Sequence, residues 1–198
     1  MNILHYSLGI QPYRSGGLAI YTKDLLSAQK KRGHTVTLLY PGSINWRYPK
    51  TQIKADNPIN GINVYELKNP LPVPLLHGIK TPVDFSNSKN IDTADFIYFL
   101  DTVSPDIIHI HTLMGLPLEF IDTAKQKNIK LVFTTHDYFG LCPKVNFIDS
   151  QGRFCENPCG LRCHSCNVKS PSTLFLRLRN FKCLIKVKKW IQKCMTSC

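Results

Sequence analysis

Two glycines, Gly16 and Gly17, stand between an apolar N-terminal stretch and a segment of helical periodicity. Residues without a Cβ let the backbone come close to a phosphate, and a helix N-terminus offers unpaired N–H groups under positive potential. A tight strand-to-helix turn without a ligand is the other reading of the same pair. Arg14, in the same loop, is either a phosphate-neutralising cation or a solvated one. Far downstream, His136 follows the run Leu131-Val132-Phe133-Thr134-Thr135, which puts it at the carboxyl end of a predicted strand. Ligands of open α/β sheets gather at such ends. Asp137 is adjacent and either contacts a ligand or makes an Asx turn. His109 and His111 are two apart on another predicted strand, so their side chains share a face. No carboxylate or third histidine stands at ligand spacing from them in the sequence, and no metal is expected there. The cysteines are a different matter. Cys155, Cys159, Cys163 and Cys166 follow the spacing C-x3-C-x3-C-x2-C, with Cys142 upstream. Four thiolates so close can surround a tetrahedral structural zinc, whereas free thiols and redox-labile disulfides are the competing readings.

The elements that must position these groups follow from hydrophobic periodicity. Asn2 to Ser7 reads as a buried strand, and Leu18, Tyr21, Leu25 and Ala28 recur at helical spacing up to the stop at Gly33. Thr35 to Tyr40 is the next strand, so the first 40 residues form a βαβ unit with parallel strands. Residues 41–60 read as a loop and Ile62 to Leu67 as a third strand. The prolines at 70, 72, 74 and 82 predict an extended surface segment. Asp92 caps a helix that shows Phe96, Leu100 and Val103 to the core and ends before Pro105. Ile107 to His111, a helix from Pro117 to Lys127, and Lys130 to Thr135 complete a doubly wound, mainly parallel α/β sheet. The expected organisation is a Rossmann-like domain over 1–139, an irregular cysteine-rich extension over 140–171, and a basic amphipathic helix over 172–198.

Composition narrows the function. Of 25 cations, seven lie in residues 172–198, where there is no acid, leaving 18 against 13 acids in the rest. That tail suits an anionic lipid surface or simple solvation, and the near-balanced body does not suit nucleic-acid binding. Met1 runs straight into Asn-Ile-Leu-His-Tyr with neither a basic n-region nor an apolar h-region, so a cytoplasmic chain is expected.

Three stretches together carry a family likeness: Asn2-Ile3-Leu4-His5-Tyr6-Ser7 with Pro12-Tyr13-Arg14-Ser15-Gly16-Gly17-Leu18, then Pro105 through His111, then Thr134-Thr135-His136-Asp137-Tyr138 followed by Leu141-Cys142-Pro143. In this order the chain resembles, over roughly residues 1–166, the N-terminal domain of GT-B glycosyltransferases of family 4. The resemblance implies one half of a two-domain retaining enzyme that moves a sugar from a nucleotide-sugar to a saccharide or lipid-linked saccharide. It implies His136 beside the transferred sugar as the catalytic residue, Gly16, Gly17 and Arg14 facing the donor diphosphate, and His111 and Asp137 lining the acceptor pocket. His109 is expected to be buried and hydrogen-bonded, and His5 to be structural. No cofactor is implied for the chemistry beyond the nucleotide-sugar co-substrate. The donor half lies outside these 198 residues, so the expectation is a chain inactive until a donor domain is supplied, whether the chain is a separately encoded half, a truncated product or a fragment. Lipid-linked acceptors further imply attachment at the inner face of the membrane through 172–198. Two rivals stand beside this: a zinc-stapled noncatalytic module for nucleic acid or another polyanion, and a Rossmann oxidoreductase, disfavoured because the glycine loop lacks G-x-G-x-x-G.

Overall fold

The first strand is buried along nearly its whole length, as a strand flanked on both sides must be. In the computed structural model, which describes residues 1–10, 14–80, 91–156, 160 and 162–179, Asn2–Tyr6 (β1) pairs in parallel with Thr35–Pro41 (β2) and with Ile107–Ile110 (β5). Beyond β2 lies Ile62–Lys68 (β4), and beyond β5 lies Lys130–Phe133 (β6), both parallel to their neighbours. The described strands order as β3-β4-β2-β1-β5-β6, with Gln52–Ile59 (β3) antiparallel at the edge. Apart from β3 this is the parallel Rossmann-like order, and it reverses direction between β1 and β5.

Alternate residues of β1 serve opposite faces. Leu4 and Tyr6 join Phe96, Phe99 and Leu100 of helix α2 (Thr93–Val103), Ile108 and Ile110 of β5, and Phe120 of helix α3 (Leu118–Gln126). On the other face, Leu26 of helix α1 (Gly17–Lys31) packs with Val36, Leu38 and Ile62. Helices thus cover both faces, as expected of a doubly wound sheet. Asp92 accepts a hydrogen bond from the Ala94 N–H at 3.0 Å and caps α2, which stops at Ser104 in the left-handed region just before Pro105.

Three expectations need correction. Residues 41–60 are not all loop: β3 pairs with β4 through a hairpin whose Asn60-Gly61 turn has φ of 50° and 71°. An edge strand with one buried apolar residue, Ile53, has no periodicity to announce it, and Pro58 is tolerated because the edge asks for no ladder hydrogen bond there. The proline-rich segment is not wholly a surface strap. Val73 and Ile79 are buried, Val73 against Met114, Phe139 and Val145, and the Leu71 N–H donates to the Gly115 carbonyl at 3.1 Å. Third, the inward stripe of α1 is Ala19, Thr22 and Leu26, with Tyr21 and Ala28 exposed. The helix is turned so that polar side chains meet polar groups on the sheet below: Thr22 Oγ1 lies 2.8 Å from Ser7 Oγ.

Past residue 140 the chain is irregular, with a short helix α4 (Cys163–Cys166) and a helix α5 (Thr173–Arg179). α5 buries Leu176 while Leu174 and Leu178 face outward, and the Arg179 guanidinium donates to the Val73 carbonyl at 2.7 Å. The remainder of the predicted basic helix, 180–198, and Cys159 lie outside the described residues. Among the described residues no helix is long and apolar enough to cross a membrane.

Candidate functional site: a histidine-lined rim

The strand order reverses between β1 and β5, and the carboxyl ends of strands at such a point are where open α/β sheets receive ligands. Chain from three places reaches it: Ser7 to Gly9 after β1, His111 after β5, and Thr134 to His136 after β6. Parallel pairing sets His5 directly opposite His109, and His111 follows two residues on along the same face. The third histidine that sequence spacing did not reveal is therefore His5, brought in by the register.

The rings are joined in order. His5 Nε2 lies 2.6 Å from Gln29 Oε1 on α1, and His5 Nδ1 lies 2.9 Å from His111 Nε2. His111 Nδ1 lies 3.4 Å from His136 Nε2. His109 packs against His111 with centroids 4.1 Å apart and planes tilted by 33°, and places its Nε2 2.7 Å from Thr134 Oγ1. His5 and His111 are 0% and 1% exposed, whereas His136 faces solvent. Burial, the largest cause, pushes His5 down to about 4, against a raising hydrogen bond to Gln29, with the charge of His109 lowering it further. Burial likewise takes His111 down to about 3, helped by His109, His5 and His136. His109 is lowered by burial and then by His136. The interior of the rim is held neutral.

The paired glycines arrive at the same rim. Gly16 precedes α1 with φ 108°, a conformation that glycine alone adopts readily, and Gly17 opens the helix. A Cβ on either would meet nothing within 4 Å, so the approach to the helix N-terminus is open. One turn on, the Tyr21 ring sits edge-on to His136 with centroids 4.7 Å apart, and to His111 at 5.8 Å. Arg14 lies in the same loop; burial lowers its pKa first, and the charge of Arg179 second. No ion pair of Arg14 is present among the described residues. Asp137 Oδ1 accepts from the Phe139 N–H at 2.9 Å, an Asx turn that shapes the loop after His136.

Of the residues that sequence reasoning singled out, His111 and His136 come together here, and Gly16 and Gly17 begin the helix whose Tyr21 packs on both rings. Sequence reasoning assigned no site role to Tyr21, Gln29, Thr134 or His5. Gln29 carried a signal: it stands seven residues after Thr22, on the helix face turned toward the sheet, where an apolar residue is the rule. Among the described residues, the group of three potential ligand side chains whose atoms lie within 4.8 Å of one another is His5, His109 and His111. Cys155, Cys163 and Cys166, all partly buried, are not such a group among the described residues.

A family model described as Glycosyltransferase Family 4 matches residues 15–157. A protein of Klebsiella pneumoniae described as an uncharacterized 42.6 kDa protein in cps region is 26% identical over 156 residues, covering 72% of this chain and 38% of that protein. The chain therefore spans well under half the length of this curated relative. Among solved structures, the catalytic domain of starch synthase IV from Arabidopsis thaliana, bound to ADP and acarbose, superposes with a TM-score of 0.40 at 19% identity, over 69% of this chain and 34% of that one.

Proposed function

The chain belongs to glycosyltransferase family 4, and from that premise we propose that it is the acceptor-side half of a retaining transferase that moves a sugar from a nucleotide-sugar to a saccharide or lipid-linked saccharide. The observation that carries this reading is the meeting of His136 with α1 one turn past Gly17, through the Tyr21 ring at 4.7 Å. A bound sugar at His136 then lies beside unpaired helix N–H groups at Gly16-Gly17, which favour a departing diphosphate. The nucleotide-sugar is a co-substrate brought by a donor domain, and the reaction needs no metal on this reading. His136 hydrogen-bonds a sugar hydroxyl, Arg14 adds positive potential, and the chemistry rests on positioning and electrostatic stabilisation. The relative's place in a cps region agrees with a saccharide acceptor.

The test is saccharide binding by the purified chain on a glycan array, alongside His136→Ala. Binding that is lost in the variant supports the acceptor-side reading, and binding to no saccharide overturns it. The same reading expects no sugar turnover from these 198 residues without a donor domain; turnover by them alone removes the half-enzyme part of the proposal.

A further inference from the structure

Three imidazoles with converging nitrogens, His5 and His111 buried and His109 half-buried, invite two readings, a metal centre or a hydrogen-bonded chain. Ring geometry separates them. Around a tetrahedral ion, lone pairs of neighbouring ligands aim at a common third point, and the rings splay about it. Between His5 and His111 the nitrogens are 2.9 Å apart, the centroids 5.3 Å, and the planes within 10° of parallel. A centroid separation that exceeds the nitrogen separation by so much means the rings lie end to end, each nitrogen aimed at the other. His111 and His136 repeat the arrangement, with nitrogens 3.4 Å and centroids 5.6 Å apart. These are hydrogen bonds in series.

A series of neutral imidazoles has a direction, because each ring has one N–H and one lone pair. The direction is set at the far end. Gln29 presents Oε1, an acceptor, so His5 donates from Nε2 and its Nδ1 is a lone pair. His111 must then donate from Nε2 to His5, and its own Nδ1 accepts. His136 in its neutral form in turn donates from Nε2, and its Nδ1 is left as a lone pair with no partner among the described residues. We propose that Gln29, His5 and His111 are positioning residues that fix the tautomer of His136, making its Nδ1 a hydrogen-bond acceptor for a sugar hydroxyl. The choice of ligand rests on the glycosyltransferase reading above; the tautomer does not.

Two further observations fit an orienting device better than a proton conduit. An amide oxygen does not take up a proton near neutral pH, so the chain is closed at Gln29 and carries no proton through. The lowered values of His5 and His111 keep each ring in the one-proton form that a directional series needs. An amide turned the other way at Gln29 would present its NH2, and every proton along the series would move to the opposite nitrogen. One amide on the helix is thus read out at an exposed imidazole three hydrogen bonds away.

The experiment is 15N NMR of the chain labelled at histidine, at pH 8, where long-range nitrogen–proton correlations assign the tautomer of each ring. Wild-type protein is expected to hold His5, His111 and His136 in the Nε2–H form. Gln29→Met removes the acceptor while keeping length, and is expected to turn single tautomers into mixtures at all three rings. Gln29→Glu restores an acceptor and is expected to restore the Nε2–H form. Nδ1–H at His136 in wild type, or an unchanged His136 in Gln29→Met, overturns the proposal. So does stoichiometric uptake of added zinc that shifts His5, His109 and His111 together, which would establish the metal centre instead. No saccharide enters the measurement, so its failure leaves the acceptor-side reading standing, and failed saccharide binding leaves the tautomer result intact.

Discussion

Lowering the pH should unfold this protein through its buried histidines. In the unfolded chain each titrates near about 6.5, whereas in the fold His5 sits at about 4 and His111 at about 3. Between those limits the unfolded state holds protons that the folded state refuses, so stability falls as pH falls. The stabilisation is complete above about pH 7.5 and is lost progressively below about 6.5. At pH 5 each residue has forgone roughly 1.5 units, about 2 kcal/mol, and the pair about 4 kcal/mol. The first proton taken up by either ring repels the second across their shared hydrogen bond, which keeps both sites neutral through this window. Among the described residues, the groups recorded against the series are Gln29, Thr134, Tyr21, His109 and His136, none of them a carboxylate that would offset the effect. Urea unfolding followed by fluorescence reads this directly. With a slope of about 2 kcal/mol per molar, the midpoint should drop by about 2 M between pH 7.5 and 5. His111→Gln should remove roughly half of that pH dependence, whatever its effect on stability at pH 7.5. A midpoint that does not move between the two pH values, or an undiminished shift in His111→Gln, refutes the reasoning.

Phe120, 0% exposed and edge-on to Phe96 at 5.4 Å, anchors the face opposite the histidines. Phe120→Ala should cost about 3–5 kcal/mol in the same urea assay at pH 7.5, without changing the pH dependence. A structural zinc on Cys155, Cys159, Cys163 and Cys166 remains a proposal. Elemental analysis of protein purified without chelator should find about one zinc per chain, lost in Cys163→Ser; none in the parent protein removes the idea. Attachment through the seven cations of 172–198 predicts co-sedimentation with anionic vesicles that weakens as salt rises, and salt-insensitive or absent binding counts against it.

The parallel sheet was legible because βαβ connections leave clear marks: apolar runs for buried strands, Asp92 to begin a helix and Pro105 to end it. Edge strand β3 was not, although Asn60-Gly61 is a strong hairpin turn pair; with Ile53 its one buried residue, no apolar face repeats along it. The face of α1 was misread for a related reason. Periodicity finds apolar stripes, and this helix turns Thr22 and Gln29 inward to satisfy Ser7 and His5. His136 was legible as a residue at the carboxyl end of a strand. Its supporting chain was not, since His5 and His111 lie 106 residues apart in sequence and meet only through the parallel register of β1 with β5.

Energetics says why such a chain is not simply filler. Positions 5, 109 and 111 lie on a sheet face covered by a helix, where valine or isoleucine ordinarily packs at no desolvation cost. Imidazoles there must each find partners for two nitrogens, and a single unmet one costs about 1–3 kcal/mol. Here both nitrogens of His5 and both of His111 are met, and the partner groups run in one direction, from a helix side chain at one end to an exposed ring at the other. A packing accident would have no reason to end at the solvent rim beside an open helix N-terminus. Local departures from the cheapest core are expected where a fold holds a functional group in one orientation, and this one terminates at His136.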